Sequence, residues 1–184
     1  MQIHQFNVSY NDRQDRLLLR VSTQSGEEYR FWLTRRLTLR LMPALQETVA
    51  RLEASQPQMV ANDAASRQIL TDLKRDSFLQ NADFETPYAD QARLLPLGES
   101  PMLVSDVEFR FHGSLVQLTL QDKGTAAAQL QSCQLNLPAS LLHGLIHLMQ
   151  QAATKAEWQT ASQNLPAAQD LALPATPAAG GYRH

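Results

Sequence analysis

Glu28 to Leu45 reads EYRFWLTRRLTLRLMPAL, and its two halves follow different periods. Tyr29, Phe31 and Leu33 alternate with Arg30, Trp32 and Thr34, the two-residue period of a strand that buries one face. From Thr34 onward, Leu37, Leu41, Ala44, Leu45, Thr48 and Leu52 recur at helical spacing, and Thr34 is placed to cap the helix. Pro43 conflicts with a continuous helix because its ring would meet the carbonyl of Leu39. The expectation is a kink there, or a helix that begins at Met42.

Working outward toward the N-terminus, Phe6, Val8 and Tyr10 alternate in one strand and Leu17, Leu19 and Val21 in a second. Turn signals at Asn11-Asp12 and Gln24-Ser25-Gly26 join these strands to Tyr29–Thr34 as a meander. A similar arrangement recurs later. Val107, Phe109 and Phe111 alternate against Glu108, Arg110 and His112; Val116, Leu118 and Leu120 follow; Leu130, Cys133, Leu135 and Leu137 make a third strand. Pro138 then opens a helix with the stripe Leu141, Leu145, Leu148 and Ala152, widened by Leu142, Ile146 and Met149. Between the two units, residues 57 to 82 read as a surface helix with a narrow stripe of Ile69, Leu70 and Leu73, and Asp83 to Pro101 reads as a long connection.

The fold expectation is α+β, two antiparallel β-meander plus helix units in the order βββα–α–βββα. The divisions are 1–56, 57–100, 101–158, and an Ala- and Pro-rich tail over 159–184 with little to bury. Laid on one another, the units place Phe31 on Leu135, Leu33 on Leu137, Leu37 on Leu141, Leu41 on Leu145, Met42 on Ile146 and Leu45 on Met149. Two readings explain this: an internal duplication with a pseudo-twofold arrangement, or shared periodicity that forces apolar residues into register. Either way each sheet keeps an open face. The first carries Arg16, Arg20, Arg30, Trp32 and Thr34, and the second carries Glu108, Arg110, His112, Gln117, Thr119, Gln121, Gln129 and Gln131.

Composition limits the functions available. The 184 residues carry a formal net charge of −2, so attraction to a polyanion would require a local basic surface. A single cysteine, Cys133, excludes an intramolecular disulfide and fits a reduced, cytoplasmic setting. The N-terminus lacks a signal-peptide pattern, and no apolar run reaches membrane-spanning length. Phosphate-loop, dinucleotide, nucleophile-elbow and zinc motifs are missing, so no catalytic residue, cofactor or metal is expected.

The candidate binding residues are Trp32 and the arginines interleaved around it: Arg16, Arg20, Arg30, Arg35, Arg36 and Arg40. One reading makes them a stacking and phosphate platform for single-stranded nucleic acid. The other packs Trp32 under a neighbouring element and pairs the arginines with Asp12, Asp15, Glu27 and Glu28. Glu27 and Glu28 themselves read as a solvated pair at a turn. His143 and His147 stand four residues apart, a metal-binding spacing, but read as the polar back of their helix. Cys133 reads as a small core residue. The functional expectation is a non-enzymatic cytoplasmic binding or adaptor protein. It would engage a protein partner or a second copy of itself through an open sheet face or helix surface. The alternative is a single-stranded nucleic-acid binder on the Arg and Trp face.

Overall fold

The computed structural model describes residues 2–55, 63–82, 88, 94–124 and 131–158. Strands β1 (Ile3–Asn11), β2 (Arg16–Thr23) and β3 (Glu28–Thr34) form the first antiparallel meander and lead into helix α1 (Arg35–Ala54). Helix α2 (Ala64–Asn81) follows, then a two-residue strand β4 (Met102–Leu103). Strands β5 (Asp106–His112), β6 (Leu115–Asp122) and β7 (Gln131–Pro138) make a second antiparallel meander before helix α3 (Ala139–Lys155). The α+β class and the two meanders are as the alternation predicts. The tail over 159–184, residues 57–62 of the expected middle helix, and Gln129 lie outside the described residues.

Alternation decides which side chains enter the core. Leu17, Leu19, Val21, Phe31 and Leu33 are buried from the first sheet, and Val116, Leu118, Leu120, Cys133, Leu135 and Leu137 from the second. A register shift between Ile3 and Gln5 places one extra residue, His4, in β1. That bulge returns Ile3 to the face of Phe6, where it packs on the core; without it, the two-residue period would turn Ile3 outward. In β7 the buried set Cys133, Leu135 and Leu137 shares its parity with Gln131. The open face there belongs to Ser132, Gln134 and Asn136, which corrects the expected placement of Gln131.

The Thr34 Oγ1 accepts from the Leu37 N–H at 3.2 Å, so the strand ends directly on a capped helix. Helix α1 begins at Arg35 and continues through Pro43 to Ala54, which rules out the start at Met42, one of the two expected accommodations of the proline. Pro43 is exposed, and its missing N–H leaves the Leu39 carbonyl without a helical donor. The buried face of α1 is also broader than its leucine stripe, taking in Thr38, Met42, Val49 and Glu53.

Packing between the units explains this breadth. A meander-plus-helix unit implies a helix that covers its own sheet, and α1 does meet β2 and β3 and α3 meets β7. The helices also pack on one another, α3 extends over β1 and β2, and α1 reaches β5 and β6. Among the described residues, the buried apolar side chains form one contiguous cluster drawn from both meanders. Helix α2 lies against α3 and α1 through Thr71 and Phe78 and leaves Ile69 and Leu73 each 60% exposed. Two of the three residues of its expected apolar stripe therefore face out, while Leu70 is half-buried.

Two tertiary ties had no local sequence signal. Strand β4 pairs in parallel with β3, Met102 beside Phe31 and Leu103 beside Trp32, and Leu94 bonds the Glu27–Glu28 end of the same edge. The connection thus covers the β3 edge, which would otherwise present unpaired backbone groups. At the other end, Trp158 is only 4% exposed; its Nε1–H donates to Asp15 Oδ1 at 2.8 Å, and its ring meets Tyr10 edge-on at 5.8 Å. Asp15 sits at the β1–β2 turn with φ 48°. The end of α3 is thereby fastened to the first hairpin.

Candidate functional site

The side of the first sheet away from the helices carries the predicted residues, and the strand register arranges them in rows. Arg16 lies beside Thr34; Leu18 beside Trp32, with Leu103 next; Arg20 beside Arg30, with Asn7 on the outer strand; and Ser22 beside Glu28. The centre is an apolar row, Leu18, Trp32 and Leu103, crossing three strands between two arginine rows. Leu18 and Trp32 are half-buried and Leu103 is 38% exposed. Leu18 and Leu103 did not stand out in the sequence. Leu18 occupies a polar-face position of its strand, and Leu103 belongs to a strand too short to show a period.

The arginines divide into two groups. Arg20 donates from Nε and Nη2 to Asn7 Oδ1 at 3.3 and 3.1 Å, and its guanidinium stacks 4.3 Å from the centre of the Tyr88 ring. Arg30 bonds Glu28, to which Tyr88 also donates from its hydroxyl at 2.8 Å. Arg16, Arg35, Arg36 and Arg40 make no salt bridge or hydrogen bond among the described residues, and the last three are exposed. Of the proposed pairings with acids, Arg30 bonds Glu28 directly, and the Arg20 charge also acts on that carboxylate. Asp15 instead serves Tyr10 and Trp158.

Glu28 corrects the expectation of a solvated acidic pair, since it is 2% exposed. Burial alone would raise its carboxyl, but hydrogen bonds from Arg30 and Tyr88, with the charges of Arg30 and Arg20, outweigh it and hold the group below its ordinary value of 4.5. The sign follows: stability contributed by ionised Glu28 is fully present above pH 4.5 and is lost as pH falls through the lower folded-state value. Urea unfolding of Glu28→Gln beside the unmodified chain is expected to show a deficit at pH 7 that shrinks steadily below pH 4.5. A deficit that stays constant down to strong acid would show that the charge contributes nothing.

The histidine pair is also placed differently from its expectation. His143 is 4% exposed and meets Glu53 of α1, Nε2 to Oε1 at 3.0 Å; His147 is half-buried and bonds Gln151 at 2.9 Å. The two rings therefore serve different partners, and no group of three or more metal-ligating side chains occurs among the described residues. Cys133 is buried, and desolvation, followed by the nearby Glu27 charge, pushes its thiol up to about 12, so it is the small core residue its alternation implies.

No known protein family, curated protein or solved structure gives a significant match to this chain. Among the described residues, no helix is long and apolar enough to cross a membrane.

Proposed function

We propose that this chain is a non-enzymatic, cytoplasmic adaptor that binds a protein partner on the open face of its first sheet. The observation that carries the reading is Trp32 at the middle of an apolar row with Leu18 and Leu103, flanked on both sides by arginines. A central aromatic bordered by arginine is the composition that dominates binding energy at protein interfaces. A partner that suits it presents apolar side chains ringed by carboxylates.

A second feature supports a role for the free cations. Arg35 and Arg36 occupy the first turn of α1, which contains no acidic residue. Positive charge is disfavoured at that end by the helix dipole, by about 0.3–1 kcal/mol for each such charge. Local choices that oppose the fold tend to be retained for function.

The single-stranded nucleic-acid reading draws on the same residues, but Arg30 is neutralised by Glu28 and Arg20 is committed to Asn7 and Tyr88. Fluorescence anisotropy of labelled single-stranded DNA and RNA at two salt concentrations separates the two readings. The adaptor reading predicts no tight, salt-steep binding. Tight binding that high salt abolishes and Trp32→Ala removes would transfer the face to nucleic acid. With a protein partner in hand, Trp32→Ala is expected to weaken binding by at least about thirtyfold, a hot-spot loss of roughly 2 kcal/mol or more. A change under threefold in a titration would remove Trp32 from the interface. Light scattering on the purified chain tests whether that partner is a second copy.

A further inference from the structure

We propose that the outer edge of β7 pairs with β7 of a second copy of this chain, antiparallel across a twofold axis, so that the two second sheets join. The unpaired backbone of an edge strand is a template for another strand, and folded chains blunt it with charge, shortness, a bulge or a covering element. The other sheet edges are each blunted in one of these ways. Strand β4 has two residues. Strand β1 is bulged between Ile3 and Gln5, and Phe78, Ala82 and Tyr88 stand against its His4–Asn7 end. Strand β5 carries Asp106, Glu108 and Arg110. Strand β7, QSCQLNLP, has eight residues, no charged side chain and an unbroken register with β6, and its proline comes last.

The register identifies the backbone groups that would pair. Gln121 of β6 accepts from the Ser105 N–H through its backbone carbonyl, so its backbone groups point toward β5. Direction alternates along a strand, and the neighbouring Leu120 therefore turns toward β7, where it stands opposite Cys133. Carried along β7, the alternation sends the N–H and C=O of Cys133, Leu135 and Leu137 to β6 and those of Ser132, Gln134 and Asn136 to the outer edge. These last three residues are exposed, and no described backbone group bonds them from that side.

A second copy suits this edge. Like charges directly opposite one another destabilise a strand pair, and a strand without charge meets itself free of that cost. Pairing centred on Gln134 sets it against the Gln134 of the other copy and sets Ser132 against Asn136, each exchanging both backbone bonds with its opposite number. The same register keeps the faces in step. Amides and hydroxyls meet on the open face, and Cys133 meets Leu135 on the core face. A contact of this kind uses the same patch on both copies and closes at two. A photoreactive group at Gln134 would accordingly join two copies of the chain and no other protein.

Sedimentation equilibrium of the purified full chain over about 5–500 µM tests the pairing, because a single-strand contact is small and should dissociate at about 10–100 µM. The expected mass rises from one copy and levels at two, while hydrogen exchange at the Ser132, Gln134 and Asn136 amides slows as the concentration rises. Gln134→Lys places like charges together at the axis and should weaken the dimer about fivefold. Gln117→Lys adds the same charge to the open face of β6, and Trp32→Ala disables the face of the first sheet; each should leave the dimer within about twofold of the parent. A single copy at every concentration, growth beyond two, edge amides whose exchange ignores concentration, a dimer untouched by Gln134→Lys, or equal weakening by Gln117→Lys or Trp32→Ala would overturn the proposal.

Discussion

Trp158→Ala is expected to destabilise the chain by about 3–5 kcal/mol, the usual cost of emptying a large aromatic site in a packed core. The ring is 4% exposed, stacks edge-on against Tyr10, and gives its Nε1–H to Asp15. Its removal would leave a cavity where the end of α3 meets the β1–β2 turn. Urea unfolding measures the loss, and Trp158→Phe divides it. Phenylalanine retains most of the apolar contact but cannot donate to Asp15, so about 1.5–3 kcal/mol should separate it from the parent. A loss below 1 kcal/mol for Trp158→Ala would mean that α3 holds its position without this anchor.

The second large effect belongs to Glu53 and His143. Their side chains are 3% and 4% exposed, and Glu53 Oε2 has no partner among the described residues, so the pair is already incompletely satisfied. His143→Ala would remove the remaining partner and leave a buried carboxylate alone, at a cost of about 3–5 kcal/mol. Replacing both residues by leucine removes the uncompensated charge, and the double variant should be more stable than His143→Ala. Unfolding curves for the two variants decide the matter: if the double variant is the less stable one, the pair contributes net stability beyond what its burial costs.

Features set by neighbouring residues were legible in the sequence. The inner faces of β2, β3, β6 and β7 follow from alternation, and Thr34 marks the join of strand and helix because its hydroxyl acts on the next turn. Features set by distant residues were not. Two adjacent acids on a strand point to opposite faces, but that Glu28 is enclosed depends on Tyr88, sixty positions away. A single apolar stripe assumes one packing partner; α3 has α1, α2 and the first sheet around it, so its buried arc widens to include His143. Trp158 lies past the end of α3, where no period remains to show that it is core.

The candidate site was partly legible for the same reason. Alternation put Arg16, Arg20, Arg30 and Trp32 on one face, and the register brings them together. Arg35, Arg36 and Arg40 follow on α1 and remain exposed. What alternation could not supply was Leu103, which completes the apolar row through a parallel pairing across 71 positions, from Trp32 to Leu103 (103 minus 32).

Site-specific photo-crosslinking in cells that naturally make the protein tests the adaptor account most directly. A photoreactive amino acid at Leu103 stands in the apolar row beside Trp32, and the same group at Gln134 stands exposed on the open face of the second sheet. The account predicts a discrete protein adduct from position 103 that disappears when Trp32→Ala is added, with no such adduct from position 134. A nuclease-sensitive adduct from position 103, or no adduct there at all, would contradict it.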